Sequence, residues 1–266
     1  MGEQAGVLAF GERAGSVRSA SANPVWGGMG QQGWTMIPGV GGLSGALELL
    51  ADIGSPVPQY GGSLLHEVRR TPGHESLAYT GSTNRIGPHT EAPVHDPPPR
   101  YVALYCHRQD RLGTGHTLLA NALPFLRALS AEQVAVAREH RFEFVHRSTG
   151  PEDPEGGCFP LLSTEAGGRV ILRFSHNLVF LGDIDGRLDG SGRALELPPG
   201  SAMLVEQLVA FFSTALIEVL IPDDGVLVWD NHIVLHSRRA YLDPDRHLTR
   251  LWLADAPDDR GAPDHG

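Results

Sequence analysis

The chain has 266 residues, of which 41% are hydrophobic and 20% are charged, so it can bury a sizeable core and wholesale disorder is excluded. Its formal net charge is −10, and nothing in this balance favours nucleic acid or an anionic membrane as a partner. All 21 basic residues are arginine, which excludes chemistry that needs a lysine, such as a Schiff base or a P-loop.

Glycine and proline, at 33 and 20 residues, favour many turns and short strands over long helices. The two cysteines, Cys106 and Cys158, are too few for a disulfide framework, so we expect a reduced, cytoplasmic compartment. No apolar run approaches the roughly 20 residues of a membrane helix, and the first residues do not have the pattern of a signal peptide. We therefore expect no membrane partner.

The chain is predicted to form one domain. Residues 1–25 are rich in glycine, alanine and serine and are expected to be a flexible N-terminal arm, while residues 255–266 are expected to be a disordered tail. Between them, residues 26–254 contain neither a linker nor an internal repeat. We assign this whole range to a single domain.

Short strands outnumber helices in the predicted secondary structure. In chain order, we predict a strand at Trp34–Ile37, a helix at Leu43–Ile53, strands at Leu64–Arg70 and Tyr101–His107, helices at Ala120–Leu129 and Ala131–Glu139, strands at Phe142–His146 and Arg169–Phe174, a helix at Ser201–Leu220, and strands at Gly225–Asp230 and Leu248–Leu253. Ser130 and Gln133 have the spacing of a capping box for the third helix. The pattern predicts a β-sandwich or barrel with a few helices packed outside it.

The segment Gly87-Pro-His-Thr-Glu91 is the most informative in the chain. In an extended segment, residues two apart point to the same side, so His89 and Glu91 present an imidazole and a carboxylate to one point. A third ligand has to come from elsewhere, and we take His236 as the candidate. Two histidines and one carboxylate leave open positions on a metal, which is the arrangement of non-haem Fe(II) oxygenases.

His89 and Glu91 alone are weak evidence for a metal site, because 13 histidines and 31 acidic residues produce a few His-x-Asp or His-x-Glu triplets by chance. Two neighbouring pairs, His74-Glu75 and His95-Asp96, are competing candidates. What strengthens the assignment of His89 and Glu91 is the sequence on both sides of them.

That context resembles the clavaminate-synthase-like branch of Fe(II)/2-oxoglutarate dioxygenases, which is related to the taurine dioxygenases. Pro88-His-Thr-Glu91 is followed by Pro97-Pro-Pro99 and a hydrophobic strand, and Leu227-Val-Trp-Asp-Asn231 with Leu235-His-Ser-Arg238 is similar to the segment of the second histidine ligand. Gly113-Thr-Gly-His-Thr117 is similar to the turn that offers a threonine hydroxyl to the co-substrate. The ordered set of motifs spans about residues 33 to 254.

The resemblance implies a double-stranded β-helix, that is, a cupin-like jelly roll, mostly β with flanking helices. It implies Fe(II) held by His89, Glu91 and His236, with 2-oxoglutarate and O2 as co-substrates. Thr117 is expected to contact 2-oxoglutarate. A buried carboxylate needs a cationic partner, and Arg250, in an otherwise apolar strand 14 residues after His236, matches the family's 2-oxoglutarate arginine.

The sequence departs from the family pattern at one position. Hydroxylases of free amino acids in this branch tend to carry a second arginine four residues later, where this chain has Ala254. The substrate carboxylate is therefore either held elsewhere or masked as an ester or amide. The alternative anchors are Arg85, Arg173, Arg238 and Arg239.

Other groups are candidates for contact with the substrate. Ser175, His176 and Asn177 occupy the region where the branch presents such groups, although a strand end at solvent explains them equally well. Asp183 and Asp185 could meet a cationic substrate, but turn acids are the more ordinary interpretation.

These patterns predict an enzyme that couples 2-oxoglutarate decarboxylation to hydroxylation of an unactivated C–H bond. The substrate is expected to be an amino acid or a small molecule derived from one, in specialised-metabolite (antibiotic) biosynthesis, free or bound to a carrier protein. Desaturation or cyclisation by the same iron chemistry stays open, whereas Glu91 argues against halogenation. A non-catalytic metal-binding protein or a zinc-dependent hydrolase is the alternative from a different class. The sequence does not indicate an oligomeric state.

Overall fold

The computed structural model describes residues 24–30, 32–145, 156–165 and 167–255. The strands are β1 Trp34–Ile37, β2 Gly54–Val57, β3 Leu65–Arg69, β4 Ile86–His89, β5 Tyr101–Arg108, β6 Thr117–Asn121, β7 Arg141–Val145, β8 Gly156–Pro160, β9 Leu162–Thr164, β10 Val170–Leu172, β11 Ile217–Val219, β12 Val226–Asp230, β13 Val234–Arg238 and β14 His247–Asp255. The helices are α1 Pro24–Met29, α2 Gly42–Ala51, α3 Leu123–Ala128, α4 Ala131–Glu139, α5 His176–Leu181 and α6 Pro199–Ala215.

Two antiparallel sheets form the jelly roll. The large sheet has the strand order β1-β12-β5-β14-β2, with β3 also paired to β14, and the small sheet has the order β11-β6-β13-β4. In both sheets, strands that are neighbours in space are far apart in sequence. β4, for example, pairs with β13 and lies at the edge of the small sheet. This topology confirms the mostly β, jelly-roll architecture predicted from the sequence.

The interior lies between the two sheets and is filled by alternate residues of each strand. In β5, Val102, Leu104 and Cys106 point inward and pack with Trp229 of β12 and Trp252 of β14. This alternation follows from the pleat of a strand, in which successive side chains point to opposite faces. It also turns the polar residues Thr117, His236 and Arg250 toward the same interior, where they form the walls of a cavity.

Helices cover the outer faces of both sheets. Leu50 of α2 and Val25 of α1 pack against the outward side chains of the large sheet, which include Tyr101 and Ala103. The helices α3, α4 and α6 cover the small sheet with an apolar cluster that includes Leu208. Burial on both faces explains why the central strand β5 is a continuous apolar run.

Several predicted elements are confirmed, including the strand at Trp34–Ile37 and the capping box of α4. Ser130 accepts a hydrogen bond from the backbone of Gln133, and the Gln133 side chain accepts one in return from the Ser130 backbone. The strand predicted at Phe142–His146 corresponds to β7, but His146 lies outside the described residues.

Three predictions about secondary structure were wrong, two of them about helices. The helix predicted at Ala120–Leu129 starts only at Leu123, because Ala120 and Asn121 belong to β6. The helix predicted at Ser201–Leu220 ends at Ala215, since Ile217–Val219 pairs with β6 as β11. The β-branched residues of β11 favour a strand once β6 offers an edge. The third error concerns residues 175–177, which do not form a strand: Ser175 caps α5.

The predicted arm and tail fall almost wholly outside the described residues. The described parts are the end of the arm, where α1 begins at Pro24, and Asp255, the first residue assigned to the tail, which instead ends β14. Residues 26–255 belong to the sheets, their helices and their connections wherever they are described. Within the described ranges, no helix combines the length and the apolar composition that a bilayer-spanning segment needs.

Candidate active site

Three side chains from two segments converge inside the jelly roll. His89 ends β4, Glu91 follows two residues later, and His236 lies in β13 directly opposite His89 in the strand pairing. Their ligand atoms all lie within 4.8 Å of one another, and the two imidazole ring centres are 4.0 Å apart. Elsewhere in the described ranges, no group of three histidine, cysteine or acidic side chains converges in this way.

The local hydrogen bonds orient these groups for a metal. The Nδ1 of His89 lies 2.9 Å from the carbonyl oxygen of Gly87, and donation to that oxygen leaves Nε2 as the atom that can coordinate. The Nε2 of His236 is 3.5 Å from Oε2 of Glu91. Two imidazoles and a carboxylate, buried together with lone pairs aimed at one point, fit a divalent transition metal such as Fe(II).

The protonation states favour metal binding. Burial, together with the positive charge that His236 would carry, lowers the pKa of His89 to about 3, so its imidazole is neutral at pH 7. Burial alone would raise the pKa of Glu91, but the guanidinium of Arg250 and the hydrogen bond from His236 outweigh it and hold that pKa well below its usual range. Both residues are therefore in the form that binds a metal.

Asn231 fixes the backbone of the carboxylate ligand. Its Oδ1 accepts a hydrogen bond of 2.6 Å from the Glu91 backbone N–H, and its Nδ2 donates to the carbonyl oxygens of Glu91 and Pro99, each at 3.0 Å. Asn231 is fully buried, 140 residues from Glu91 in sequence. The segment Leu227–Asn231 was recognised in the sequence, but it gave no sign that its asparagine holds Glu91.

Arg250 lies against the same carboxylate. Its Nη1 donates to Oε1 of Glu91 at 2.9 Å, and its Nε donates to Oε1 of Gln59 at 2.8 Å. Its guanidinium also stands over the rings of Tyr60 and Trp252, at 6.0 and 5.1 Å from their centres. The arginine predicted from its apolar strand is therefore inward and buried, and its nearest anion is the Glu91 carboxylate.

A basic pocket opens on one side of the three candidate ligands. We use this name for the cavity lined by Val68, Thr80, Ile86, His89, Glu91, Leu104, Thr117, Trp229, His236, Ser237, Arg238, Arg246 and Arg250. Its walls contain three buried arginines and Thr117, so it provides hydrogen-bond donors and positive charge for an anion.

Arg246 is the cation of the basic pocket with the most unused donors. Its Nη2 donates to the carbonyl oxygen of Gly115 at 3.2 Å, while its Nε and Nη1 have no hydrogen-bond partner in the described part of the chain. Burial lowers its pKa, a cost that a bound anion would relieve. Gly115 has φ +72°, and a Cβ there would lie 3.0 Å from Arg246 Nε, so glycine allows this close approach.

A second pocket, which we call the outer pocket, adjoins the basic pocket at the candidate ligands His89 and Glu91. It is lined by Tyr60, Ala78, Tyr79, Thr80, Ile86, His89, Thr90, Glu91, Ala92, Pro93, Ser175, Asn177, Ile184, Asp185 and Arg250. Arg250 and Asp185 bring opposite charges to its walls, and Tyr60 and Tyr79 add aromatic surface. Five residues line both pockets: Thr80, Ile86, His89, Glu91 and Arg250.

The residues proposed for substrate contact have different surroundings. Ser175 and Asn177 line the outer pocket, but the Asn177 amide also donates to the carbonyl oxygens of Ala78 and Ile184. His176 packs closely on Gly87, where a Cβ would lie 2.6 Å from its Nδ1. Arg238 lines the basic pocket rather than the outer one and donates to the carbonyl oxygens of residues 79, 80, 82 and 84.

The other candidate groups have structural partners. Arg173 is bound to Asp96 at 2.7 Å, and Arg239 is bound to Glu218 at the surface. Asp183 accepts a hydrogen bond from the Asp185 backbone, as an ordinary turn acid does. His95, which packs edge-on against Trp252, and the pair His74-Glu75 are not among the converging ligands.

Comparison with known proteins agrees with this geometry. The model of the "Taurine catabolism dioxygenase TauD, TfdA family" matches residues 39–252. The chain belongs to this family. The matched range includes both segments that carry the candidate metal ligands and the strand of Arg250.

Individual relatives in this family are distant. The L-asparagine oxygenase of Streptomyces coelicolor is 26% identical over 212 residues, which cover 77% of this chain and 56% of the relative, so the chain matches little more than half of that protein. A structure of asparagine oxygenase with Fe(II), 2S,3S-3-hydroxyasparagine and succinate has a TM-score of 0.64 at 19% identity, covering 85% of this chain and 75% of that one. The non-heme iron oxygenase OrfP with Fe and alpha-ketoglutaric acid has a TM-score of 0.61 at 20% identity, covering 85% and 76%. These structures share the fold of the chain.

Proposed function

We propose that the protein is an Fe(II)/2-oxoglutarate-dependent dioxygenase that hydroxylates an unactivated C–H bond of an amino acid or a molecule derived from one. The observation that carries the proposal is the convergence of His89, Glu91 and His236 between a basic pocket and an outer pocket. When bound, Fe(II) and 2-oxoglutarate would supply the oxidising chemistry with O2. Family membership supports this assignment.

The basic pocket is proposed to hold 2-oxoglutarate. Thr117 and Arg250, the two residues assigned to it from the sequence, both line this pocket. Two methylene groups separate the distal carboxylate of 2-oxoglutarate from the 2-oxo group that meets the metal. That carboxylate therefore needs a cation on the far side of the pocket, not one that touches a metal ligand.

Arg246 fits this requirement better than Arg250. Arg250 is already hydrogen-bonded to Glu91 and to Gln59, whereas Arg246 has two unpartnered nitrogens among the described residues. We therefore propose that Arg246 and Thr117 bind the distal carboxylate, with Arg250 near the metal end. This revises the role assigned to Arg250 from its spacing to His236, and keeps Arg250 in the site.

The outer pocket is proposed to bind the substrate. Asp185 brings a negative charge to the lining that suits an amino or guanidino group, whereas Arg250, which also lines this pocket, is held by Glu91 and Gln59. The charge of Asp185 supports a substrate that carries a cationic group, as an amino acid does. The structures of asparagine oxygenase and of OrfP hold 3-hydroxyasparagine and hydroxy-L-Arg, which are amino acids.

The protein's own residues have separate tasks in this mechanism. His89, which burial keeps neutral, and His236 would each offer an imidazole nitrogen to the metal, and Glu91 would offer a carboxylate oxygen while its Oε1 accepts a hydrogen bond from Arg250. Trp229, buried against His236 with ring centres 4.7 Å apart, excludes water beside the metal. Because Glu91 keeps a carboxylate at the third ligand position, halide binding and halogenation are not favoured.

One experiment separates this proposal from its alternatives. Anaerobic protein titrated with Fe(II) and 2-oxoglutarate should develop a weak visible charge-transfer band, and admitting air should release succinate. A hydrolase or a non-catalytic metal protein would give neither. Mass spectrometry of candidate amino acids after turnover then distinguishes a gain of one oxygen from the loss of two hydrogens that desaturation or cyclisation gives.

Three further parts of the proposal follow from the sequence and are open to experiment. We propose that the protein acts in the cytoplasm, in specialised-metabolite biosynthesis, on a small molecule. Presentation of that molecule on a carrier protein is the variant to test, by comparing the free amino acid with the same group attached as a thioester.

A further inference from the structure

Gln59 is a buried amide beside the candidate metal site to which the sequence assigned no role. It is 4% exposed and immediately precedes Tyr60, which lines the outer pocket. Its Oε1 accepts from Nε of Arg250 at 2.8 Å, and its Nε2 donates to the carbonyl oxygens of Arg250 at 2.9 Å and Leu64 at 3.1 Å. One amide thus binds both the side chain and the backbone of Arg250.

We propose that Gln59 is a positioning residue for the metal site, acting on Glu91 through Arg250. This inference rests on the proposed metal site at His89, Glu91 and His236. Gln59 holds the guanidinium by Nε, so that Nη1 stays on Oε1 of Glu91. With Oε1 occupied, Oε2 is the oxygen left facing His236, at 3.5 Å, and Glu91 is presented to a metal through one oxygen.

The ring contacts of Arg250 do not by themselves provide this control. Tyr60 and Trp252 stand 6.0 and 5.1 Å from the guanidinium carbon and restrict the position of the guanidinium group. Such contacts are only weakly sensitive to rotation of that group within its own plane. The directional hydrogen bond from Nε to Gln59 fixes this rotation, and with it the nitrogen that meets Glu91.

Gln59→Met tests the proposal without changing the charge of the site. Methionine has a similar length and no hydrogen-bonding amide, so Arg250 keeps its charge and loses its orientation. Direct hydrogen-bond partners of metal ligands typically contribute about 10- to 100-fold to metal affinity. Because Gln59 acts through Arg250, we expect Mn(II), titrated anaerobically and followed by electron paramagnetic resonance, to bind about tenfold more weakly.

A double-variant cycle distinguishes positioning from general loosening. If Gln59 acts through Arg250, Gln59→Met should raise the Mn(II) dissociation constant about tenfold in an otherwise wild-type chain. In an Arg250→Met background, the same change should alter that constant by less than twofold. The matched control is Gln133→Met, which breaks the capping box of α4 outside the jelly-roll interior. It should lower the melting temperature and leave the Mn(II) constant unchanged.

Gln59→Glu provides a second test that does not depend on the methionine variant folding. Glutamate keeps the acceptor for Arg250 Nε and loses both N–H donors, so Mn(II) affinity should match or exceed that of the wild type. A tenfold loss in Gln59→Glu, or an unchanged constant in folded Gln59→Met, overturns the inference. Failure of the metal site itself has a different signature, because wild type and His236→Ala would then bind Mn(II) equally poorly.

Discussion

Replacing Arg246 with alanine should weaken 2-oxoglutarate binding more than Thr117→Val or Arg250→Ala does. Arg246 is 3% exposed, and its Nε and Nη1 have no partner among the described residues, so a bound carboxylate would be their hydrogen-bond acceptor. Truncating one side of a buried, hydrogen-bonded charge pair costs about 2–5 kcal/mol. At about 1.4 kcal/mol per factor of ten, this corresponds to roughly 30- to 3,000-fold in affinity.

Thr117→Val is a smaller change in the same pocket, with which the loss of 2-oxoglutarate affinity in Arg246→Ala can be compared. It removes one hydrogen bond from a neutral donor to a charged acceptor, worth about 1.5–3 kcal/mol, so its loss of affinity should be smaller than that of Arg246→Ala. The assay is a 2-oxoglutarate titration of the visible band of the anaerobic Fe(II) protein. Arg239→Ala is the matched control, because Arg239 is exposed and paired with Glu218, and it should bind like the wild type.

Arg250→Ala decides between Arg246, which precedes β14, and Arg250, which lies within it. We expect this variant to weaken Mn(II) binding, because Glu91 loses the hydrogen-bond donor to its Oε1. It should lower the affinity for 2-oxoglutarate less than Arg246→Ala does. The opposite result would be that Arg246→Ala binds 2-oxoglutarate like the wild type, while Arg250→Ala loses more than about 30-fold in 2-oxoglutarate affinity and keeps its metal affinity. Arg250 would then be the residue that binds the distal carboxylate, as its spacing to His236 predicts, and Arg246 would not.

Three further predictions concern the ligands and their supports. Alanine at His89, Glu91 or His236 should abolish Mn(II) binding and succinate release, and wild-type metal content in any of the three would remove that residue from the site. Asn231→Leu breaks three buried hydrogen bonds and should lower the free energy of unfolding by about 3 kcal/mol in urea denaturation; a loss below about 1 kcal/mol would contradict its role. Burial lowers the pKa of His232 from 6.5 to about 4, so the unfolded chain binds more protons between these values and stability falls as the pH falls. Between pH 7 and 4, wild type should therefore lose roughly 3 kcal/mol more stability than His232→Gln, and equal losses would show that His232 does not titrate in this way.

Local patterns in the sequence predicted a β-sandwich or barrel and the pairing of His89 with Glu91, whereas the jelly roll and the assignment of His236 came from the resemblance to the dioxygenase family. A run rich in β-forming residues marked β5, and the two-residue spacing of His89 and Glu91 already implied a shared side of an extended segment. The structure places these residues opposite His236 in strand pairing, 147 residues away in sequence. The link across that distance came from the ordered motifs, because no local pattern shows which histidine completes the set.

The parts that the sequence missed depend on tertiary contacts. β11 was included in a helix, since its pairing with β6 is visible only in the fold. Gln59 and Asn231 act on residues far away in sequence, and no local pattern distinguishes a buried amide of this kind from one in a turn. Which of Arg246 and Arg250 binds the distal carboxylate of 2-oxoglutarate is also invisible in the sequence. Both arginines line the basic pocket, and they differ only in their hydrogen-bond partners.

The edge position of β4 gives the metal site a route of opening that does not require global unfolding. β4 is four residues long and has β13 as its neighbour in the small sheet. An opening that breaks this pairing, the bridge of His89 to Ser175 and the bonds of Glu91 to Asn231 and Arg250 would withdraw His89 and Glu91 together and leave His236 in place. A metal ion bound by His89, Glu91 and His236 stabilises the state in which β4 is paired with β13, because it binds that state and not the open one. Hydrogen exchange should therefore slow on metal binding at residues 86–91 and hardly change in β5, and metal release should follow the rate of this local opening.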